Sequence, residues 1–316
     1  MNFNFEPMEK LQSKLSVAVF GPSGSGKTTA AIKLAMGIRD ELYPNEKLQD
    51  IALFIDTERK SSTKAVGRNV GGETLEPLTL YSFEPPYNIL ELYNLIQYAT
   101  KQGFKIIVID SMTAFWSGKD GILENVADLE VALQDKKKMY GAWSEKEIIT
   151  KKNVLKNLMT NQEAHLIVCF RAKTEYVMEP NTYGKMSPRV VGLKEDMQSD
   201  IRYEFDAVLS IDRETHIPEI VKDRIGYTEI KSVEKERTPL TVEDGKLLAK
   251  IVSEGIGSDE LNQRKVDSYI KFISREKGQA SSKVKMFEDK VGIILNEENL
   301  RKMPVEKLEQ IVNFIK

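Results

Sequence analysis

Residues 21–28 read Gly-Pro-Ser-Gly-Ser-Gly-Lys-Thr and fit the pattern G-x-x-x-x-G-K-[ST]. Before them, Leu15-Ser-Val-Ala-Val-Phe20 is a short apolar run that reads as a buried strand. After them, Lys27 to about Arg39 is helical in composition, with Ala30, Ile32, Leu34 and Ala35 among its apolar members. In that strand–loop–helix setting the glycines let the loop wrap closely around phosphates with its N–H groups inward. The helix adds its positive N-terminal end. Gly21, Pro22, Ser23, Gly24, Ser25, Gly26, Lys27, Thr28 and Thr29 are therefore the candidate nucleotide-holding residues. Lys27 is expected to neutralise β- and γ-phosphates, and the Thr28 hydroxyl to bind Mg²⁺. The implied ligands are ATP and Mg²⁺.

The pattern around this loop sets the fold class. Ile51-Ala-Leu-Phe-Ile-Asp56, Leu78 to Phe83, Lys105-Ile-Ile-Val-Ile-Asp110 and His165 to Phe170 read as further strands. Asn88 is expected to cap a helix through Gln102, with Ile89, Leu92, Tyr93 and Ile96 on one face and Gly103 ending it. Strands alternating with helices imply an α/β core with a mostly parallel sheet flanked by helices. Residues ~119–135 and ~145–161 look helical, and Tyr203 to Ile211 and Glu219 to Val221 look like strands. Residues 172–192 hold Pro180, Gly184, Pro188 and Gly192 among polar residues, which reads as a long loop or mobile hairpin. Past Gly257 the pattern is all helix, including one on Val266, Tyr269, Ile270 and Ile273 and one on Leu308, Ile311, Val312 and Ile315. The expected division is a core over 1–255 and a small all-helical domain over 256–316.

Composition narrows the function classes. Lys plus Arg number 46 against 48 Asp plus Glu, so a globally basic nucleic-acid coat is excluded and any such contact must be local. One cysteine, Cys169, excludes an intramolecular disulfide and a multi-cysteine zinc site, and two histidines make a histidine metal site a poor expectation. No apolar run approaches the ~18 residues of a membrane helix. A cytoplasmic location is expected. Cys169 reads as core, and Trp116 and Trp143 as packing. Phe3 and Phe5 read as a frayed end, with docking on a neighbouring subunit as the alternative.

A phosphate loop needs an acidic group for its metal, and Asp110, at the end of an apolar strand, fits. It is followed by Ser111 and not by glutamate, so the water-polarising carboxylate is expected at Glu58, in Phe54-Ile-Asp-Thr-Glu58. These segments resemble the RecA-like P-loop ATPases, most closely the phage-type nucleotide-binding proteins of DNA recombination and replication. The likeness spans roughly residues 13–232, through GPSGSGKTT, FIDTE, IIVIDS, VCFRAK, YEFDAVLSID and VKDRIG. It implies that Glu58 is the catalytic carboxylate. It puts Arg171 where the family has a γ-phosphate sensor, usually an amide, so the arginine is a departure. It puts Lys222 and Arg224 where such proteins present basic fingers to a neighbouring subunit's nucleotide. Their alternation along an extended segment also turns both to one side.

Two segments are candidates for single-stranded DNA. Lys173, Tyr176, Tyr183, Lys185 and Arg189 interleave cations with aromatics, which suits phosphate pairing and base stacking, and resemble in position a DNA-binding loop of the family. Segment 264–285, with Lys271 and Arg275 among seven basic residues, is the second. Lys136-Lys137-Lys138 is a weaker third. The expected function is Mg²⁺-dependent ATP hydrolysis coupled to DNA recombination or replication, in a ring or filament of like subunits. Other recombination or replication proteins are possible partners, and the location is a host cytoplasm if the chain is phage-encoded. The alternatives are a nucleotide-gated assembly or loader protein that leaves DNA untouched, and a P-loop small-molecule kinase.

Overall fold

A computed structural model describes residues 8–133, 141–160, 163–180, 186–198, 200–227, 238–278 and 282–315. Contacts divide the chain into a unit over Ser13–Ser253 and a second built from Glu254 onward together with the residues up to Gln12. Residues 8–12 join the C-terminal helices, where Leu11 bridges Ile256 in parallel.

The larger unit is a mixed α/β structure. Its strands are β1 (Ser16–Gly21), β2 (Ala52–Asp56), β3 (Asn69–Val70), β4 (Glu73–Thr74), β5 (Thr79–Ser82), β6 (Ile106–Asp110), β7 (His165–Pro180), β8 (Met186–Glu195), β9 (Ala207–Ile211) and β10 (Pro218–Asp223). The main sheet runs β10-β9-β1-β7-β6-β2-β5, and β8 pairs with β7 off this path. From β9 to β5 all neighbours are parallel, while edge strand β10 is antiparallel to β9. Because residues alternate faces along a strand, the sheet is buried on both sides. Val17, Val19, Ile106 and Val108 enter one core, and Ala18, Phe20, Ile107 and Ile109 enter the other.

The first core is covered by α1 (Lys27–Leu42), α2 (Leu48–Ile51) and, late in the chain, a helix at Val242–Ser253. The second is covered by α3 (Ile89–Lys101), α4 (Thr113–Ser117), α5 (Ile122–Leu133) and α6 (Lys146–Thr160). The late helix, α7, crosses α1 so closely that a Cβ on Gly245 would meet Leu34 O at 2.5 Å. Asn88 caps α3 as expected, its side chain accepting from Leu90 N at 2.9 Å. Trp116 and Trp143 pack together, with ring centroids 6.2 Å apart.

One expectation changes. The strand expected at Tyr203–Ile211 begins only at Ala207, because Ile201–Glu204 is a 3₁₀ turn. Of the two readings of 172–192, a long loop or a hairpin, the structure has the hairpin. β7 runs on past Phe170 to Pro180 and β8 returns antiparallel, with Ala172 opposite Glu195 and Val177 opposite Arg189.

The smaller unit holds α8 (Ser258–Gly278), α9 (Ser282–Val291), α10 (Glu297–Arg301) and α11 (Val305–Ile315). Ile270, Ile273, Leu308, Ile311, Val312 and Ile315 form its core, as their spacing predicts. Among the described residues no helix is long and apolar enough to cross a membrane.

Candidate nucleotide site

The parallel register gathers the site. Gly21 at the end of β1 lies opposite Arg171 of β7, and Asp110 at the end of β6 lies opposite both Cys169 of β7 and Asp56 of β2. The carboxyl ends of β1, β2 and β6 therefore share one edge, which β7 crosses at Cys169–Arg171, and open parallel sheets bind ligands at such an edge. A cleft of about 840 Å³ opens there, lined by the loop from Ser23 to Thr29 and by Glu58, Asp110, Arg171 and His216 among others.

The loop has the local geometry its glycines permit. Gly24 (φ 82°) and Gly26 (φ 90°) occupy the left-handed region, which side chains with a Cβ rarely enter. Gly26 then starts α1, leaving the first N–H groups of the helix unpaired within it. Lys27 Nζ donates to the carbonyls of Gly21 (3.0 Å) and Pro22 (2.9 Å), folding back over the loop. His216 Nδ1 donates to Ser25 O at 3.0 Å from the far side. Nothing in the sequence ties this histidine to the loop 191 positions away. Ser25 Oγ is buried and has no hydrogen-bond partner among the described residues.

Thr28 Oγ1 donates to Asp110 Oδ2 at 2.6 Å, so the two expected metal-shell residues meet. Burial raises the Asp110 carboxyl to about 6, the Thr28 hydrogen bond pulls it down, and the Glu58 carboxylate adds to the rise. Glu58 is therefore within electrostatic reach of Asp110. Its Oε1 accepts from Arg171 Nε (3.1 Å) and Nη2 (3.0 Å). No local pattern in the sequence pairs these two residues, which lie 113 positions apart. Arg171 also sits where β7 becomes the hairpin, its N–H on Thr113 Oγ1 (3.0 Å) and its carbonyl accepting from Asp196 N (2.7 Å). Burial pushes the Cys169 thiol well up, so it stays a core thiol.

A family model described as an AAA domain matches residues 13–248. The chain belongs to that family. AAA-domain membership points to nucleotide binding and hydrolysis, and with the mostly parallel sheet it fits a P-loop NTPase. A search of curated proteins returned no match.

The remaining expected site residues lie elsewhere in the AAA-domain chain. Lys222 and Arg224 do not line the cleft. Lys222 Nζ donates to the carbonyls of Arg202 (3.1 Å), Tyr203 (2.8 Å) and Phe205 (2.6 Å), and Arg224 Nη2 donates to Tyr203 O. Both reach the Tyr203 carbonyl, Lys222 from edge strand β10 and Arg224 from just past its end. Burial lowers the Lys222 ammonium, with Arg224 adding to the effect.

Lys173 pairs with Asp196 at 2.8 Å. Tyr176 and Arg189 lie on the paired strands of the hairpin. Tyr183 and Lys185, like Lys136-Lys137-Lys138, Phe3 and Phe5, lie outside the described residues. Lys271 and Arg275 share a face of α8 at i,i+4 spacing. In that basic segment Arg264, Arg275 and Lys277 already have carboxylate partners in Glu9 and Glu260, Glu276, and Glu288 respectively.

Proposed function

We propose that the protein is a Mg²⁺-dependent ATPase of the phage recombination or replication type, acting with single-stranded DNA and binding nucleotide at the interfaces of a ring or filament. The observation that carries this reading is the convergence of Lys27, the Thr28–Asp110 pair and Glu58 on one cleft. The residues fit the metal. Mg²⁺ takes one or two protein oxygens and completes its shell with water and phosphate. Thr28 and Asp110 offer such oxygens, and among the described residues no group of three or more His, Cys, Asp or Glu competes for an ion. When bound, the metal would neutralise charge on the β- and γ-phosphates.

The chain supplies the rest. Lys27 exchanges the Gly21 and Pro22 carbonyls for phosphate oxygens. Glu58 accepts a proton from the water that attacks the γ-phosphorus as the bond to the bridging oxygen breaks. Arg171 turns its guanidinium from Glu58 toward the γ-phosphate. Lys222 and Arg224 reach the nucleotide of a neighbouring subunit, not their own.

The DNA half of the reading is supported by chain continuity. Arg171 lies two residues before Lys173, at the root of the hairpin that carries Tyr176 and Arg189. Tyr183 and Lys185 belong to the same proposed contact, and Lys271 and Arg275 to a second one in which several neighbouring cations are already paired. The place of action is a cytoplasm, that of a host cell if the chain is phage-encoded, and the partners include other recombination or replication proteins. The test is the ATPase rate with and without single-stranded DNA over a protein concentration series. Specific activity is expected to rise with both. A rate indifferent to DNA, with no DNA binding at low salt in the presence of an ATP analogue, would favour the loader reading.

A further inference from the structure

Asp56 ends β2 two residues before Glu58, and its side chain is buried (1% exposed) outside the lining of the cleft. A buried carboxylate is costly unless its oxygens are satisfied. Here four donors satisfy it. Oδ1 accepts the backbone N–H groups of Glu58 (2.6 Å) and Lys60 (3.2 Å). Oδ2 accepts the N–H of Ser62 (3.2 Å) and the Ser62 hydroxyl. With both oxygens so engaged, Asp56 is not a ligand waiting for an ion.

The segment wrapped around this carboxylate is one the chain would not adopt alone. Arg59 (φ 55°) and Lys60 (φ 61°) are both left-handed without being glycine. The segment is pinned from two further directions. Thr57 Oγ1 donates to Ser111 O (3.1 Å) and accepts from Ser111 N (2.9 Å), next to Asp110. Tyr87 Oη donates to Thr57 O at 3.3 Å.

We infer that Asp56, completed by Ser62, is the positioning residue that sets the Glu58 carboxylate against the phosphate loop. This rests on the reading of Glu58 as the base. Asp56 holds the Glu58 N–H directly, so its removal frees the backbone of that residue, while Lys27 and Thr28 stay in place on α1 and Asp110 on β6. The consequence is a loss in kcat with little change in KM.

The test is Asp56→Asn, Ser62→Ala, Glu58→Gln and the double variant Asp56→Asn/Glu58→Gln, in the full chain, with MgADP affinity and thermal unfolding measured alongside turnover. Asp56→Asn is expected to lower kcat about 10-fold or more with KM and MgADP affinity within about 3-fold, and Ser62→Ala to lower kcat about 3-fold. In the Glu58→Gln background Asp56→Asn should cost less than about 2-fold, because two residues acting through one carboxylate are not additive. If Asp56→Asn does not fold, the Ser62→Ala pair with and without Glu58→Gln decides by the same rule. Wild-type kcat in the folded variants, or an undiminished loss in the Glu58→Gln background, overturns the inference while leaving Glu58 as base. Full activity of Glu58→Gln alone overturns both.

Discussion

Asp110 is held as a buried carboxylate whose ionisation the fold resists, and replacing it should make the protein more stable while removing its activity. Burial raises its pKa from 3.8 to about 6 despite the Thr28 hydrogen bond. At pH 7 the rise converts to a cost of about 3 kcal/mol for the ionised form in the folded state. The unfolded chain loses its proton near pH 3.8 and the folded chain only near 6, so this cost grows across that window and is level above it. Asp110→Asn removes the charge and keeps an oxygen that can accept from Thr28. In EDTA and without nucleotide, the variant is expected to exceed wild type by about 1–3 kcal/mol at pH 7.5, a rise of roughly 2–4 °C in Tm per kcal/mol for a domain of this size. The gap should fall to about half by pH 5 and nearly vanish by pH 4. Denaturant melts at several pH values measure it. A variant less stable than wild type at pH 7.5, or a gap unchanged from pH 8 to pH 4, would refute the reasoning.

Three other outcomes are expected. Lys27→Ala should abolish productive MgATP binding, read by a fluorescent nucleotide analogue, because the phosphates lose their main positive charge. Arg171→Ala should leave stability within about 1 kcal/mol, since its pair with Glu58 is exposed on the arginine side and half-buried on the glutamate side, yet slow turnover about 10-fold or more because the γ-phosphate loses a cation. Arg224→Ala and Glu58→Gln, each nearly inactive alone, should regain partial activity when mixed. No recovery in a mixture shown to co-assemble would remove the finger assignment and leave Arg224 as a cap on the Tyr203 carbonyl.

What was legible in the sequence was what depends on short, uninterrupted patterns. The apolar runs of β1, β2 and β6 each end at a residue that matters, Gly21, Asp56 or Asp110, because strand ends at one sheet edge are where the chain turns into the site. The far half of β7 was not legible as a strand because Arg-Ala-Lys-Thr-Glu-Tyr is polar, and β8 was masked by Pro188 and Gly192. Helix α7 carries a weakened helical signal in the sequence. Its Gly245 is a poor helix former, kept for the close crossing with α1. Glu58 was found because it follows a strand closely. Its partner Arg171, 113 residues away, and the turn around Asp56 depend on three-dimensional pairing that no local pattern records. The same holds for Tyr203, which joins a 3₁₀ turn capped by Lys222 and Arg224.

Phosphate release from MgATP by wild type and by Glu58→Gln, with nucleotide affinity measured on both, bears most directly on whether this cleft is an ATPase centre. Wild type should hydrolyse MgATP, and the variant should bind it with similar affinity and release phosphate about 10²-fold more slowly or less. Equal rates for the two proteins, or a wild type that binds MgATP and never cleaves it, would contradict that assignment.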